Sequence, residues 1–369
     1  MRYALVFGKN WKLSLAESLA FLELREPSWN FVDLCDGAMI IDAKTGAGEI
    51  INGLGGTLKV ACVEKQFDFA NLGEQDFGEG REERLSFYGN NDLGRQLKKV
   101  FPNVAPHKEY SATELVRHDM SENTLVWGMK TCYFGPTVAV ADYRSFRKRD
   151  ESRPLHPPLG IAPSRARILV NLSQARDFLL DPFCGYGTIL QEALLSGVKN
   201  VYGSDIDGKA VNGARKNLEW AKKTRRLEST NFSLKQCDAR RLDNCWSSAE
   251  AIATEPELGP KLGEQPSQGD ARKIISFLED TYYRFFQSAR KLLPPHGRVA
   301  IAFPAINSRK GKVFVEKRFP GFRPADLFWR VPERYREHFG LRMPFVIDEE
   351  REPGKRRVVA REFTVLERI

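Results

Sequence analysis

Short apolar runs alternate with longer amphipathic segments over the second half of the chain. The runs FLL, VYGS, FSLKQ, AEAIA and RVAIAF have the length and composition of buried strands, and TILQEALLSG, DGKAVNGARKNLEWAKK and ARKIISFLEDTYYRFFQSARKLL have the apolar spacing of helices. Because strands that alternate with helices form parallel sheets, this rhythm predicts a doubly wound α/β sheet. The final segment, MPFVIDEEREPGKRRVVAREFTVLER, predicts an antiparallel hairpin that closes the sheet.

The first 145 residues follow a different pattern, in which strand-like runs are mixed with capped helical segments. This mixture predicts an α+β unit. Its predicted elements are a strand at 3–7, a helix opened by a capping box of Ser14 and Glu17, a strand in GLGGTLKVACV (53–63), a helix capped by Ser111 and Glu114, and two strands, WGMK and TVAVAD, that flank a Gly135-Pro136 turn.

A basic, Pro-rich stretch separates the two patterns. Prolines 154, 157, 158 and 163 accompany several arginines there, which is typical of a linker laid along a surface. The sequence therefore predicts an α+β region at 1–145, a linker at 146–165 and the doubly wound domain at 166–369.

Acidic residues follow three successive predicted strands. Asp181 ends the first strand, and Gly185 and Gly187 come next in a turn that lets a ligand approach the backbone. Asp205 ends the second strand, where it could accept two hydrogen bonds from a ribose diol, and Asp238 follows the third, where it could accept from an adenine amino group. In doubly wound sheets ligands bind at these strand ends.

The order of these residues favours a cationic nucleoside ligand over a dinucleotide. A dinucleotide site would carry GxGxxG and a diphosphate at the helix start, whereas DPFCGYGT has an acid in front that would repel an anion. Asp181 would accommodate the sulfonium and ammonium of S-adenosylmethionine. Another Rossmann-like function, or a turn with a purely structural role, would also be compatible with this motif.

Charge is distributed unevenly. The net charge is +9, and residues 1–150 contain 19 Lys or Arg against 21 Asp or Glu, so the positive surplus lies in residues 151–369. Such a surplus is expected of a surface that binds a polyanion, although it would also serve solubility.

The cysteine spacing and the lengths of apolar runs indicate what to expect for metal binding, disulfides and membrane insertion. The six cysteines lack a CxxC pair, so we expect reduced thiols and no bound metal. The opening MRYALVFGKN has only about six apolar residues before a lysine, too few for a secretory signal, and no run approaches the roughly 18 residues that a membrane span needs. We therefore expect a cytoplasmic protein without a membrane partner.

Several segments resemble the THUMP-containing tRNA guanosine N2-methyltransferases and their bacterial relatives. They are DPFCGYGTIL, YGSDID and QCDAR, with RDESRP and PSRARILVNLS before them, FGKNWKLSLAE and LGGTLKVA near the start, and VVAREFTVL near the end. The resemblance implies a Rossmann-like, S-adenosyl-L-methionine-dependent methyltransferase domain at 166–369, with a seven-stranded, mostly parallel sheet. It also implies a THUMP-like RNA-binding region at 1–145.

The resemblance also implies roles for individual residues. It assigns donor binding to Asp181, Phe183, Gly185, Gly187, Thr188, Asp205, Ile206, Asp238 and Ala239. Within this set the first acid and the glycines line the methionine side, the second acid holds the ribose and the third meets the adenine. Arg149 and Arg153 match the family's entry to the catalytic domain, where contact with the substrate or between domains is expected.

The loop TEPELGP (254–260) departs from the family pattern. Amino-group methyltransferases place Asp or Asn, then Pro-Pro, then an aromatic residue after the fourth strand, because acceptors there hold the amine and free its lone pair for attack on the methyl carbon. Here Glu255 takes the acidic place, Pro256 is kept, Glu257 replaces the second proline and Leu258 replaces the ring that stacks the extruded base. We expect the first two to be catalytic and the last two to contact the substrate.

These observations predict a tRNA guanosine N2-methyltransferase that acts at position 10, with tRNA as its partner. Phe183 or Phe303 could supply the missing ring. Two alternatives stay open: a methyltransferase of another nucleic-acid base, such as adenine N6 or an rRNA guanine, and a tRNA-binding protein with impaired catalysis. A small activating protein subunit is a candidate partner, and we expect a monomer.

Overall fold

The chain forms two compact units. The computed structural model describes residues 1–68, 84–89, 122–129, 131–156, 160–348, 350–352 and 355–369. We call the first unit, Met1–Lys148 with Leu327–Leu341, the N-terminal unit, and the second, Arg149–Asp326 with Arg342–Ile369, the C-terminal unit. The predicted helix capped by Ser111 and Glu114 lies outside the described residues.

This division differs from the predicted ranges 1–145, 146–165 and 166–369 in two places. Residues 327–341 belong to the N-terminal unit although they come late in the chain. The predicted linker overlaps two helices, Tyr143–Ser152 and Pro163–Ser173. Proline is compatible with the second of these because Pro163 occupies the first helical position, where a backbone N–H has no helical partner.

A mostly antiparallel sheet of eight described strands forms the base of the N-terminal unit. The strands are β1 (Arg2–Phe7), β2 (Asn30–Cys35), β3 (Ala38–Asp42), β4 (Thr57–Cys62), β5 (Lys65–Asp68), β6 (Arg84–Tyr88), β7 (Glu122–Trp127) and β8 (Thr131–Val140). They lie in the order β2-β3-β1-β4-β8-β7-β6, and β5 also pairs with β8. Helices α1 (Trp11–Arg25) and α2 (Ala47–Gly53) belong to this unit, and α3 (Tyr143–Ser152) contains its boundary.

Helix α1 begins earlier than the sequence predicts. Asn10 is its N-cap residue, so Ser14 and Glu17 lie inside the helix and the predicted capping box is wrong. The buried Glu17 carboxylate instead accepts the backbone N–H groups of Gly55 and Gly56 at 2.7 and 2.8 Å. It therefore fixes the glycine turn before β4.

The predicted turn at Gly135-Pro136 is also wrong, because both residues lie inside β8. A Cβ on Gly135 would lie 1.9 Å from the carbonyl oxygen of Cys62. This glycine permits a close approach of two strand backbones, which is the other common use of glycine in a strand. The chain reverses after Trp127 instead.

Residues 327–341 contact the rest of the N-terminal unit through polar groups, both buried and partly exposed. The Asp33 carboxylate accepts the hydroxyl groups of Tyr335 at 2.8 Å and Tyr133 at 3.0 Å. The guanidinium of Arg330 contacts the carboxylate of Glu23 at 2.9 Å. Helix α8 (Glu333–His338) lies in this segment.

The main sheet of the C-terminal unit has nine described strands, seven of them in one continuous path, whereas the sequence predicted seven strands in all. The strands of this unit are β9 (Phe178–Asp181), β10 (Asn200–Asp205), β11 (Asn231–Gln236), β12 (Ala251–Thr254), β13 (Arg298–Ser308), β14 (Gly311–Phe314), β15 (Phe322–Pro324), β16 (Phe345–Ile347), β17 (Glu350–Glu352), β18 (Lys355–Arg356) and β19 (Val359–Arg368). The order β11-β10-β9-β12-β13-β19-β15 is parallel from β11 to β13, while β14 adds to β13 and β16 to β19. β16 and β19 pair antiparallel, as predicted for the final segment.

Helices cover this sheet and position the loops at its edge. They are α4 (Pro163–Ser173), α5 (Thr188–Leu195), α6 (Gly208–Arg225), a 3₁₀ helix (Ala239–Asn244) and α7 (Gln268–Leu292). Buried aromatic residues of α7 pack against Phe303 of β13 and Phe319, with ring centroids 4.0 Å apart for Phe286 and Phe319. In the described part of the chain, no helix is both long and apolar enough to cross a membrane.

Candidate active site

The predicted acidic residues meet at one edge of the parallel sheet. β9, β10 and β11 are neighbours in register, so their carboxyl ends lie side by side. Asp181 and Asp205 are the last residues of β9 and β10, and Asp238 follows β11 by two residues. The structure thus brings together the three acids that the sequence singled out.

Asp181 is a buried acid with neutral hydrogen-bond partners. Its side chain is 1% exposed, and its Oδ1 accepts the hydroxyl of Thr254 at 2.6 Å and the backbone N–H of Phe183 at 3.2 Å. Burial raises the pKa of Asp181 to about 7, although the Thr254 hydrogen bond opposes the shift. A carboxyl group in this state can be stabilised by a cationic ligand.

The glycine turn after β9 has the backbone conformation that only glycine adopts easily. Gly185 and Gly187 have φ values of +49° and +84°. The N–H of Gly185 donates to Asp205 Oδ2 at 2.9 Å, which links the turn to the next strand end. A Cβ on Gly187 would lie 3.2 Å from the Cβ of Ala214, whereas one on Gly185 would meet nothing within 4 Å.

The acids predicted to meet the ribose and the adenine, Asp205 and Asp238, differ in their hydrogen-bond partners. Asp205 is half-buried and accepts the Asp207 N–H at 3.0 Å, and Ile206 beside it leaves 64% of its surface exposed as an apolar face. Asp238 is held by Arg240 at 2.7 Å and also caps the 3₁₀ helix. A bound adenine amine would therefore share this carboxylate with Arg240.

A disulfide between Cys237 and Cys245 spans the 3₁₀ helix. The expectation of reduced cysteines is wrong for this pair, because the helix folds back and brings the two Cα atoms to 6.4 Å. Cys35, Cys62, Cys132 and Cys184 are free thiols. Ala239, predicted to contact the donor, has its side chain buried in the core.

These residues fit S-adenosylmethionine. Among the described residues, the partners of the buried Asp181 are neutral, so it suits a sulfonium or ammonium group, while Gly185 leaves open space beside the backbone. Asp205 offers a carboxylate, and Ile206 offers an apolar surface for a base. Phe183 packs edge-on against Phe285 at 5.4 Å.

The loop after β12 places Glu255 against a basic partner that the sequence did not reveal. The Glu255 carboxylate forms a two-point ion pair with Arg361 of β19, through Nε to Oε2 and through Nη2 to Oε1 at 3.0 Å. Pro256 is buried, and the Glu257 carbonyl accepts the Tyr282 hydroxyl at 2.5 Å. The loop is therefore fixed at both ends.

The predicted substrate residues lie in different surroundings. The side chain of Glu257 is exposed, and Leu258 is partly exposed at the same loop. Phe303 is completely buried and cannot supply a stacking ring.

Two predicted arginines point into the C-terminal unit. Arg149 contacts the buried Glu192 at 3.2 Å. Arg153 is 6% exposed and donates to the hydroxyl of Thr188, at the start of α5, at 2.6 Å. Substrate contact by these arginines remains a prediction.

Three residues that the sequence analysis missed complete the site. Thr254 could have been found, because it precedes Glu255 at the end of a predicted strand. Arg361 and Tyr282 come from β19 and α7 and carried no local signal.

Comparison with known proteins identifies the family. The model of UPF0020, an RMKL-like methyltransferase domain, matches residues 150–310. The tRNA (guanine(10)-N2)-dimethyltransferase of Methanothermobacter thermautotrophicus is 37% identical over 172 residues, which are 45% of this chain and 46% of that protein. A protein of Methanothermococcus thermolithotrophicus, named a probable tRNA (guanine(10)-N2)-dimethyltransferase, is 34% identical over 138 residues, which are 34% of this chain and 80% of that protein.

A solved structure extends the comparison to the whole chain. TrmN from Thermus thermophilus aligns with 100% of both chains at a TM-score of 0.53 and 19% identity, a likeness that concerns the fold. The alignment with the Methanothermobacter enzyme, by contrast, spans less than half of that protein's length. The THUMP-like character of residues 1–145 remains a prediction.

The comparisons agree with the sequence on the C-terminal unit. A methyltransferase domain matches there, which confirms the predicted fold class and supports S-adenosylmethionine as the donor. The chain therefore belongs to the family of these relatives, the tRNA guanine-N2 methyltransferases with an RMKL-like methyltransferase domain.

Proposed function

We propose that this chain is an S-adenosyl-L-methionine-dependent methyltransferase that transfers a methyl group to the exocyclic N2 of a guanosine in tRNA, at position 10. One observation carries the proposal: Thr254 is hydrogen-bonded to the buried Asp181, and the next residue along the chain is Glu255. An acid suited to a cationic donor and an acid suited to an amine therefore lie at two adjacent strand ends. The names of the two relatives support the nucleotide and its position.

The donor would be held by the residues at the ends of β9, β10 and β11. Asp181 would face its positive charge, Asp205 its ribose and Asp238 its adenine. When bound, S-adenosylmethionine supplies a methyl group made electrophilic by its sulfonium.

Glu255 is the acceptor for the target amine. The lone pair on guanine N2 is delocalised into the ring, and a carboxylate that accepts an N–H hydrogen makes the lone pair more available. The amine proton lost during methylation then passes to Glu255 or to water. The Tyr282 hydroxyl uses one acceptor position of the Glu257 carbonyl, and the Glu255 carboxylate is an acceptor that the loop presents.

The distribution of charge supports tRNA as the substrate. Residues 151–369 carry the entire positive surplus of the chain, and displacement of counterions from phosphates would favour association with a polyanion. We further propose that the chain acts as a monomer. Activity of the purified chain alone would show that a small activating subunit is dispensable.

Methylation of an unmodified tRNA transcript tests the function. The purified protein is incubated with the transcript and S-adenosylmethionine, and the nucleosides are analysed by mass spectrometry. We expect N2-methylguanosine, with no product when inosine, which lacks only the N2 amine, replaces guanosine 10. Product from the inosine transcript would move the target to another position.

A pair of loop variants tests the assignment of Glu255. We expect Glu255→Gln to lose most of the transfer activity, because a neutral amide accepts the amine hydrogens less strongly. Glu264→Gln is the matched control, since Glu264 carries an exposed carboxylate shortly after the same loop. Equal activity of the two variants would exclude Glu255 as the acceptor.

A second candidate function is a tRNA-binding protein that binds the donor without turnover. The ion pair between Glu255 and Arg361 favours it, because the pair occupies part of the carboxylate. Calorimetric donor binding without methylation of any tRNA transcript would support this alternative.

A further inference from the structure

We infer that Arg361 is a positioning residue for the reaction proposed above: it fixes the Glu255 carboxylate in the orientation that holds the guanine amine. The inference rests on the proposed function. It concerns a residue 106 positions away from Glu255 along the chain.

The geometry of the pair is that of a clamp. Arg361 contacts both carboxylate oxygens of Glu255, one through Nε and the other through Nη2. The Arg361 side chain is 6% exposed and that of Glu255 11%. Two parallel contacts in a largely dry environment define both the position and the plane of a carboxylate.

The clamp is anchored in three neighbouring strands. Thr254 of β12 is opposite Ile301 of β13, and Arg361 of β19 is opposite Pro304 of β13. The Arg361 side chain therefore reaches the loop across β13. A site supported by sheet strands is held more rigidly than one supported by loops alone.

The Glu255 carboxylate can still accept hydrogen bonds from a ligand while it is paired with Arg361. An ionised carboxylate has about four lone-pair positions, and the two contacts from Arg361 use two of them. Because the remaining positions accept only, each suits an N–H donor such as the target amine.

In the proposed methyl transfer, Glu255 or water accepts the proton that leaves N2. The N2 lone pair forms the bond to the methyl carbon, the carbon–sulfur bond breaks with its electron pair on sulfur, and one N2 proton leaves to Glu255 or to water.

Several charged or titratable groups surround Glu255. They are Arg361 on β19, Arg357 before it, Arg165 on α4, Asp181 on β9, Tyr282 on α7 and Glu257 in the loop. Burial and the charge of Arg361 lower the pKa of Arg165 to about 10. Loss of Arg361 would therefore leave Glu255 with weaker positive surroundings.

Two variants of Arg361 test the inference on the full chain. Arg361→Gln should lower kcat by about tenfold or more while the donor Kd stays unchanged. Arg361→Lys keeps the charge but not the fork, so its kcat should also stay reduced. It also serves if Arg361→Gln fails to fold.

The outcomes separate the two proposals. If the wild-type protein is active, an Arg361→Gln variant with wild-type kcat would overturn the positioning role alone, as would a rise in activity, which would mark the pair as an inhibitory contact. If Arg361→Gln does not fold, wild-type kcat in Arg361→Lys would overturn it. A wild-type protein that binds the donor but methylates no tRNA would overturn the proposed function and the inference with it.

Discussion

The hydroxyl of Thr254 donates a hydrogen bond to Oδ1 of Asp181 over 2.6 Å, and both side chains are buried. β9 and β12 are parallel neighbours, so this contact joins two strand ends. Because Glu255 follows directly, the acid expected to face the donor and the acid expected to face the amine are fixed relative to each other. Their negative charges also interact, and this interaction contributes to the raised pKa of Asp181, after burial.

Donor affinity should depend on pH through Asp181. Burial raises the pKa of Asp181 to about 7, so the unliganded protein is largely protonated there at lower pH. A cationic donor prefers the ionised form. We therefore expect Kd to fall by about tenfold for each pH unit between about 5 and 7 and to level off above, as measured by calorimetry. Asp181→Asn should bind weakly at every pH, and a wild-type curve parallel to that of the variant would contradict the assignment.

The same group should affect stability in the opposite sense. A carboxyl whose pKa is raised in the folded state stabilises that state when protonated. Its contribution is complete below the unfolded value of 3.8 and is lost as the pH rises through about 7. Between these limits the unfolding free energy of the wild type, without donor, should fall relative to Asp181→Asn by up to about 1.4 kcal/mol per pH unit. Urea unfolding of both proteins at several pH values measures it, and a constant difference would exclude it.

Glu192 should be more important for stability than for substrate binding. Its buried carboxylate accepts Arg149 at 3.2 Å and Arg167 at 2.8 Å. Glu192→Gln would leave two guanidinium groups without a charged partner at this position and should cost about 3 to 5 kcal/mol in a denaturant titration. Arg149→Met leaves the Arg167 pair intact and should cost less.

Filter binding tests whether Arg149 contributes to tRNA affinity or only to the stability of the fold. We expect Arg149→Met to bind an unmodified tRNA transcript as tightly as the wild type, because the structure directs its guanidinium to Glu192. A large loss of tRNA affinity in a folded variant would restore the role in substrate contact that the sequence resemblance implied.

The features that could be predicted from the sequence are those with a local signal. Asp181 and Asp205 end apolar runs, and the alternation of strands and helices places the ends of parallel strands together. The helix start at Asn10 shows the limit even of local signals, because Ser14 and Glu17 match a capping box while Glu17 binds a turn 38 residues away.

Long-range contacts could not be predicted in this way. Arg361 meets Glu255 only because β19 enters the sheet next to β13, and residues 327–341 join the N-terminal unit through Asp33, about 300 residues earlier. The Cys237–Cys245 disulfide depends on the path of a 3₁₀ helix. The spacing of apolar residues does not indicate that this helix brings the two cysteines together. Such contacts are set by topology, which the order of hydrophobic residues specifies only in part.

The disulfide should stabilise the segment around Asp238, which we expect to contact the adenine of the donor. Cys237 precedes Asp238, and the bridge to Cys245 closes the segment that contains the 3₁₀ helix. Reduction, or replacement of both cysteines by serine, should cost about 2.5 kcal/mol by the chain-entropy relation and should weaken donor binding. Chemical unfolding and calorimetry with and without dithiothreitol measure both effects. Cys62→Ser, at a free thiol, should keep the response to reductant, and an unresponsive wild type would contradict the bridge.

The two turn glycines provide a matched pair of variants. Both Gly185 and Gly187 have positive φ, so alanine at either position should cost about 1 kcal/mol of stability through the backbone. An alanine Cβ at 187 would also press against Ala214 at 3.2 Å, and that variant should therefore be the less stable in a thermal melt.

At 185 the new Cβ meets no protein atom within 4 Å and would instead enter the space beside Asp181 and Asp205 where we expect the donor. Gly185→Ala should therefore lose more donor affinity than its change in stability accounts for. Its calorimetric Kd should rise by about tenfold or more although its stability falls only by the backbone cost of about 1 kcal/mol, since a single methyl group in the path of a ligand is sufficient for such a loss. Wild-type donor affinity in Gly185→Ala would mean that the donor does not pass over this turn, and the site would have to be moved towards Asp205 and Ile206.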